Sequence, residues 1–234
     1  LAVGDFAAKD RAGARAFADA ATGAGVAQVI YLGGLGDDGD DLSDHLRSRR
    51  EVEMILINAA PTTALRAGIV IGDRGISWEI LRQLVRRLPV MVTPRWVETR
   101  TQPIGLEDAL RVLTGVLGRS DCVARSYEIG GPDALTYRQM MQTAARLMGH
   151  SRLIVPVPFL SPRLSSHWLR LMTDVDLTTA RALVDSMTNE VIVHDHCIET
   201  LLDYEPMSFE QAASAALSAR ADRLGGQGRD RAST

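Results

Sequence analysis

The chain has 234 residues, of which 46% are hydrophobic and 24% charged, an ordinary balance for a globular protein. A formal net charge of −3 argues against a nucleic-acid footprint, which needs a clustered positive excess. No apolar run approaches the roughly 18–20 residues of a membrane span, and no basic-then-apolar secretory leader opens the sequence. Cys122 and Cys197 lie far apart and form no disulfide framework, so a cytoplasmic location is the expectation.

The segment 10–25 is alanine-rich with Phe17 at helical spacing, and Gly23 and Gly25 stand where a helix stop belongs. Residues 26–32 (VAQVIYL) form a short β-branched and aromatic run ending in Gly33-Gly34, a buried strand of the parallel-sheet type. After an acidic turn at 36–41, Ser43 opens a helix reaching about residue 58. A second strand is predicted over 63–71 and a helix over 76–88, with a further strand over 89–93. The remaining pattern predicts a helix over 106–117, a strand at 127–129 and a helix over 137–148.

Strands alternating with helices of this length indicate βαβ units on a parallel sheet. From His150 onward prolines 156, 158 and 162 bracket a short strand, with helical stretches near 162–172 and 177–187. The division expected is a partial Rossmann-type domain over 1–149 and a small, mostly helical cap on the substrate side over 150–220. The glycine-rich polar end, 221–234, reads as a disordered tail.

Four segments in order carry a resemblance: VIYLGGL at 29–35, LSDHLRSRREVEMIL at 42–56, LRAGIVIG at 65–72 and YEIGGPDALTYRQMM at 127–141. Together they resemble the atypical extended short-chain dehydrogenase/reductases, close to the NmrA-like NAD(P)-binding proteins. The continuation LPVMVTPRWVETRTQPIGLEDAL at 88–110 is similar to a bacterial subgroup that carries an extra C-terminal domain of unknown function. The resemblance implies the C-terminal part of a doubly wound parallel sheet, beginning after the fourth strand and lacking the glycine-rich N-terminal half. It further implies NAD(P) as cofactor of the complete protein, and a small-molecule substrate or none. Its alternative is a non-catalytic NAD(P)-sensing regulatory or assembly protein.

Gly34-Leu-Gly36-Asp-Asp-Gly39 matches G-x-G-x-x-G, yet Asp37, Asp38, Asp40 and Asp41 surround it with charge that repels a pyrophosphate. Reductases of the resembled family use a tyrosine with a lysine four residues on. No such pair exists here: Lys9 is the only lysine, and the residues four after Tyr31, Tyr127, Tyr137 and Tyr204 are Leu35, Gly131, Met141 and Ser208.

At the matching place stand His45 and Arg49, while the family's catalytic serine falls on Gly33-Gly34, which the resemblance places among the cofactor-binding residues. His45 is thus a weak candidate acid, and Arg49 a candidate for holding ribose or phosphate, or else the surface partner of Glu53. The resemblance brings Arg66, Ala67 and Gly68 to the nicotinamide, unless Arg66 merely braces its strand. Arg95 and Trp96 are candidates for the substrate side, with Trp96 alternatively a buried plug. His194, Asp195, His196 and Cys197 look metal-like in composition but do not converge on a strand or a helix, so no metal is expected.

Overall fold

The first helix ends in a hydrogen-bonded closure that sets where the sheet begins. The computed structural model describes residues 3–37, 42–156 and 186–230. Helix α1 (Val3–Gly23) starts earlier than the alanine pattern predicts, and Ala14, Ala18 and Ala21 bury its inner face. At its end Gly25 adopts φ 64°, its N–H donates to Thr22 and the Val26 N–H to Ala21. This pair of bonds is a Schellman motif, in which glycine takes the left-handed position without a Cβ clash. Val26 is therefore spent on the helix stop, and β1 runs Val29–Gly34 rather than 26–32.

Helix α2 (Asp44–Ala59) is capped by Ser43, whose hydroxyl accepts from the Leu46 N–H. It returns the chain to β2 (Thr62–Ala67), parallel to β1 with Val29 opposite Thr62 and Gly34 opposite Ala67. Strand β7 (Arg125–Ile129) pairs parallel on the other side of β2, so the main sheet runs β1-β2-β7. The expected single strand over 63–71 is broken: β3 (Val70–Ile71) leaves this sheet to pair with β6 (Ile104–Gly105). The break falls at Gly68, where an added Cβ would stand 3.1 Å from the Gln102 carbonyl oxygen.

Helices α3 (Ile76–Arg87), α4 (Leu106–Gly115) and α5 (Tyr137–Leu147) match the predicted helical runs to within a turn. Helix α5 opens on a capping box, Thr136 and Gln139 each bonding the other's backbone N–H. Helix α4 lays Ala109 and Val112 on Leu65, Tyr127 and Ile129 of the main sheet. Two short pairings escaped the sequence reading. One is antiparallel, between β5 (Arg100–Thr101) and β8 (Leu135–Thr136); the other is parallel, between β4 (Val90–Thr93) and β9 (Leu153–Pro156).

The β4–β9 pairing joins the segments on either side of residue 150, so the division drawn there in sequence is not a break in space. The expected stretches 162–172 and 177–187 fall almost wholly outside the described residues. Helix α6 (Cys197–Leu202) packs on β7, and α7 (Phe209–Asp230) joins the core of α3 and α5 through Phe209, Ala212 and Ala213. Phe209 meets Trp78 edge to face at 6.3 Å. Helix α7 carries on through 221–230, correcting the disordered tail expected there: Ala221 and Leu224 are good helix formers, and the helix is already anchored when the glycines arrive. Among the described residues no helix is long and apolar enough to cross a membrane.

Candidate functional site

Open α/β sheets bind ligands beyond the carboxyl ends of their strands. Here the pairing register sets Gly33 opposite Arg66, and Arg66 opposite Glu128, at one level near those ends. Successive side chains on a strand alternate in direction, so Arg66 faces α2 while Leu65 and Ala67 face α4.

Arg66 meets a buried carboxylate there. Glu53 of α2, 1% exposed, accepts from Arg66 Nε at 3.0 and 3.1 Å and from Nη2 at 2.7 Å. The Ser126 hydroxyl donates to Glu53 Oε1 at 2.7 Å, and Arg50 Nη1 lies 3.4 Å from Oε2. Arg50 reaches on to the Gly36 carbonyl at 2.8 Å, so the chain just after β1 is tied to the same node. Arg66 therefore braces sheet to helix. Its guanidinium bonds Glu53 from two nitrogens, the bracing role the sequence offered as the alternative to cofactor contact.

The surface pairing of Arg49 with Glu53 is likewise not formed. Arg49 lies 3.8 Å from Asp10 of α1, with its guanidinium 5.8 Å over the Phe6 ring. Its stem approaches the end of β1: an added Cβ on Gly34 would stand 3.8 Å from Arg49 Cβ. The Tyr31 hydroxyl donates to the Arg49 carbonyl at 3.2 Å, and burial pushes that phenol above its usual range. His45, one turn earlier, stacks on Phe6 at 6.4 Å. Burial holds its imidazole below the usual range, and the neighbouring Arg49 charge adds to the effect. A proton donor with that bias is neutral at physiological pH.

The strand ends are also roofed by the chain itself. Asn189 accepts from the Ser43 N–H at 3.0 Å, and Gln102 N–H donates to the Val191 carbonyl at 2.8 Å. The buried Gln102 amide accepts from the Val193 N–H and donates to the Gly131 carbonyl, at 3.0 and 2.7 Å. Glu128 accepts the His194 N–H at 2.6 Å and the Asp195 N–H at 3.3 Å. Leu35, Leu46, Val191 and Val193 pack beneath this strap. Cys197 Sγ donates to Asp195, and its thiol is pushed up to about 11 by burial and by that carboxylate.

Thus Gly33, Gly34, Ala67 and Gly68 stand at the ends of β1 and β2, Arg49 approaches Gly34 and His45 lies one helical turn before Arg49, whereas Arg95 and Trp96 follow β4. They occupy a 3-10 turn, Arg95–Glu98, in the α3–α5–α7 core region. Trp96 is buried edge to face against Tyr137 at 5.7 Å, and the cavity beside it measures about 20 Å³, room for a single water. Trp96 is the plug, and Arg95 is exposed. Glu53 was read only as a surface partner of Arg49, while Gln102, Ser126 and Glu128 were missed from the sequence. Only Gln102 carried a signal, its place in the Gln-Pro-Ile segment.

No family model matches the chain, and no curated protein matches it either. Solved structures do. The NADPH-dependent quinone oxidoreductase of Escherichia coli, complexed with NADPH, aligns at 17% identity with a TM-score of 0.67 over 86% of this chain and 69% of its own. The UDP-glucose 4-epimerase of Thermotoga maritima aligns at 14% identity, TM-score 0.70, over 95% of this chain and 72% of its own. The Citrobacter sp. triphenylmethane reductase complexed with NADP(H) aligns at 16% identity, TM-score 0.65, over 86% and 70%. At such identities the likeness establishes the fold, a Rossmann-like α/β arrangement around parallel strands that this chain shares with nicotinamide-linked reductases and epimerases.

Proposed function

We propose that this chain is part of an NAD(P)-binding, oxidoreductase-like protein, with the nicotinamide-ribose side of the cofactor meeting Arg49, Gly34, Ala67 and Gly68. The observation that carries the reading is the placement of Arg49 over the end of β1, where Gly34 stands opposite Ala67 and both strands finish. Gly34 lacks the side chain that would fill this approach, and Arg49 keeps a third of its side chain exposed for a ribose or phosphate oxygen. The pyrophosphate is assigned to none of these residues. The aspartates after Gly36 repel it, and the Gly36 carbonyl is turned to Arg50.

A second reading, binding without turnover as in a redox sensor, is favoured by His45. It occupies the proton donor's place yet is held neutral under Phe6. Calorimetric titration of the full gene product with NADPH and NADH tests the binding. Saturable binding is expected, weakened roughly tenfold or more in Arg49→Ala, as loss of a charge-assisted hydrogen bond implies. Absence of binding for both cofactors refutes the assignment. Oxidation of NADPH with a panel of quinones and carbonyl compounds then separates the two readings.

A further inference from the structure

Beside α3, just after the carboxyl end of β3, α7 borders a second cavity, open to solvent, of about 270 Å³ lined by Asp73, Arg74, Ile76, Glu79, Arg220 and Arg223. Its cations outnumber its carboxylates. Asp73 accepts from Arg223 Nε and Nη2 at 2.7 and 3.1 Å, and Glu79 from Arg220 Nη1 at 3.1 Å. Arg82, buried behind the cavity, takes both oxygens of Glu79 at 2.6 and 2.9 Å. Arg74 is exposed, its charge helps hold the Asp73 carboxyl low, and among the described residues it makes neither a hydrogen bond nor an ion pair. Four guanidinium groups thus face two carboxylates.

The hydrogen-bond inventory is as unbalanced as the charge. A guanidinium offers several N–H donors in a fixed fork and no acceptor. Arg223 engages only Nε and Nη2, Arg220 only Nη1, and Arg74 none. Meanwhile Asp73 already accepts two bonds from Arg223, and Glu79 four bonds from Arg82, Gln83 and Arg220. The same bonds hold the arginines in place, at 25% and 29% side-chain exposure for Arg220 and Arg223, so little freedom is lost when an anion arrives.

We infer that this cavity binds a small phosphate-bearing anion, its oxygens taking the spare donors of Arg74, Arg220 and Arg223. A phosphate fits better than a monocarboxylate because it spreads more acceptor oxygens and a second charge over three separate forks. The site is independent of the dinucleotide reading, which concerns the ends of β1 and β2.

Isothermal titration of the full chain with inorganic phosphate and with pyrophosphate, at constant ionic strength set by chloride, tests the inference. Saturable binding of at least one is expected, weakened roughly tenfold or more in Arg74→Ala. Arg74 pins nothing, so that variant should keep the thermal midpoint of the parent. Arg138→Ala, which removes a surface pair with Glu98, should leave the affinity unchanged. Absence of saturable binding by both anions overturns the inference. So does equal affinity in Arg74→Ala, or an equal loss in Arg138→Ala; the cluster is then only a fastening between α3 and α7.

Discussion

Replacing Glu53 by leucine leaves the guanidinium of Arg66 facing a cavity wall with no carboxylate. The Arg66 side chain is 16% exposed and Glu53 2%, so water cannot take over the bonds cheaply. Three Arg66 contacts and the Ser126 hydroxyl bond are lost together. Because these bonds share one acceptor they do not add; breaking a buried pair from one side costs about 3–5 kcal/mol as a unit. For a chain of this length that corresponds to a fall in thermal midpoint of roughly 6–20 °C. Glu53→Leu combined with Arg66→Met removes both charges and should recover part of the loss, because the uncompensated guanidinium is gone. Urea denaturation of the parent, the two single variants and the double variant measures this. A loss below about 1 kcal/mol for Glu53→Leu, or strict additivity in the double variant, refutes the view that Glu53 and Arg66 form one buried unit.

His45 should titrate below the ordinary value of about 6.5 by NMR, and its midpoint should rise in Arg49→Ala, which removes a like charge. Since its folded value is depressed, the contribution to stability is complete above the unfolded value and declines as pH falls through it toward the folded one. His45→Gln should flatten that decline in pH-dependent denaturation. Gly131→Ala should cost about 1–3 kcal/mol in denaturant titration, because the new Cβ would stand 2.6 Å from the Pro103 carbonyl oxygen, which the Gly131 N–H already binds. Gly34→Ala should cost less, since its obstacle at 2.9 Å is the rotatable Leu46 Cδ2. The Arg223 hydrogen bonds hold the Asp73 carboxyl below its usual range, so this fastening is present above about pH 4 and is lost as pH falls through the folded value. Asp73→Asn should accordingly speed amide exchange in the second half of α7 at neutral pH.

The helices were legible where local rules act alone. Ser43 announced α2 because an N-cap is decided within one turn, and the alanine face of α1 followed from its own periodicity. The strands shifted where a distant atom intervened. Val26 was drawn into the α1 closure, and the strand expected over 63–71 breaks at Gly68, where the Gln102 carbonyl comes within 3.1 Å of its would-be Cβ. No window around 63–71 contains that carbonyl. The two-residue pairings at β5–β8 and β3–β6 carry too few side chains to establish a period of two, and they exist only because the surrounding loops deliver them.

Charge partners were the least legible feature, and the reason lies in helix geometry. Glu53 stands three residues after Arg50 and four after Arg49, so both spacings permit a pair on the helix surface. The spacing cannot reveal that β2 passes under this face and presents Arg66 thirteen positions away, nor that Ser126 arrives from β7 to complete the set. Once Arg66 takes two of the carboxylate's approaches and Arg50 a third, Arg49 is left to Asp10 and Phe6 on α1. The three arginines within about one turn of α2, at 47, 49 and 50, are thus sorted by depth around one buried acid. Glu53 takes Arg50 from its own helix and Arg66 from β2, Arg47 pairs with Asp44, and Arg49 stays at the rim, next to Gly34. In this way the structural demand at Glu53 spares Arg49 for the ligand proposed at Gly34.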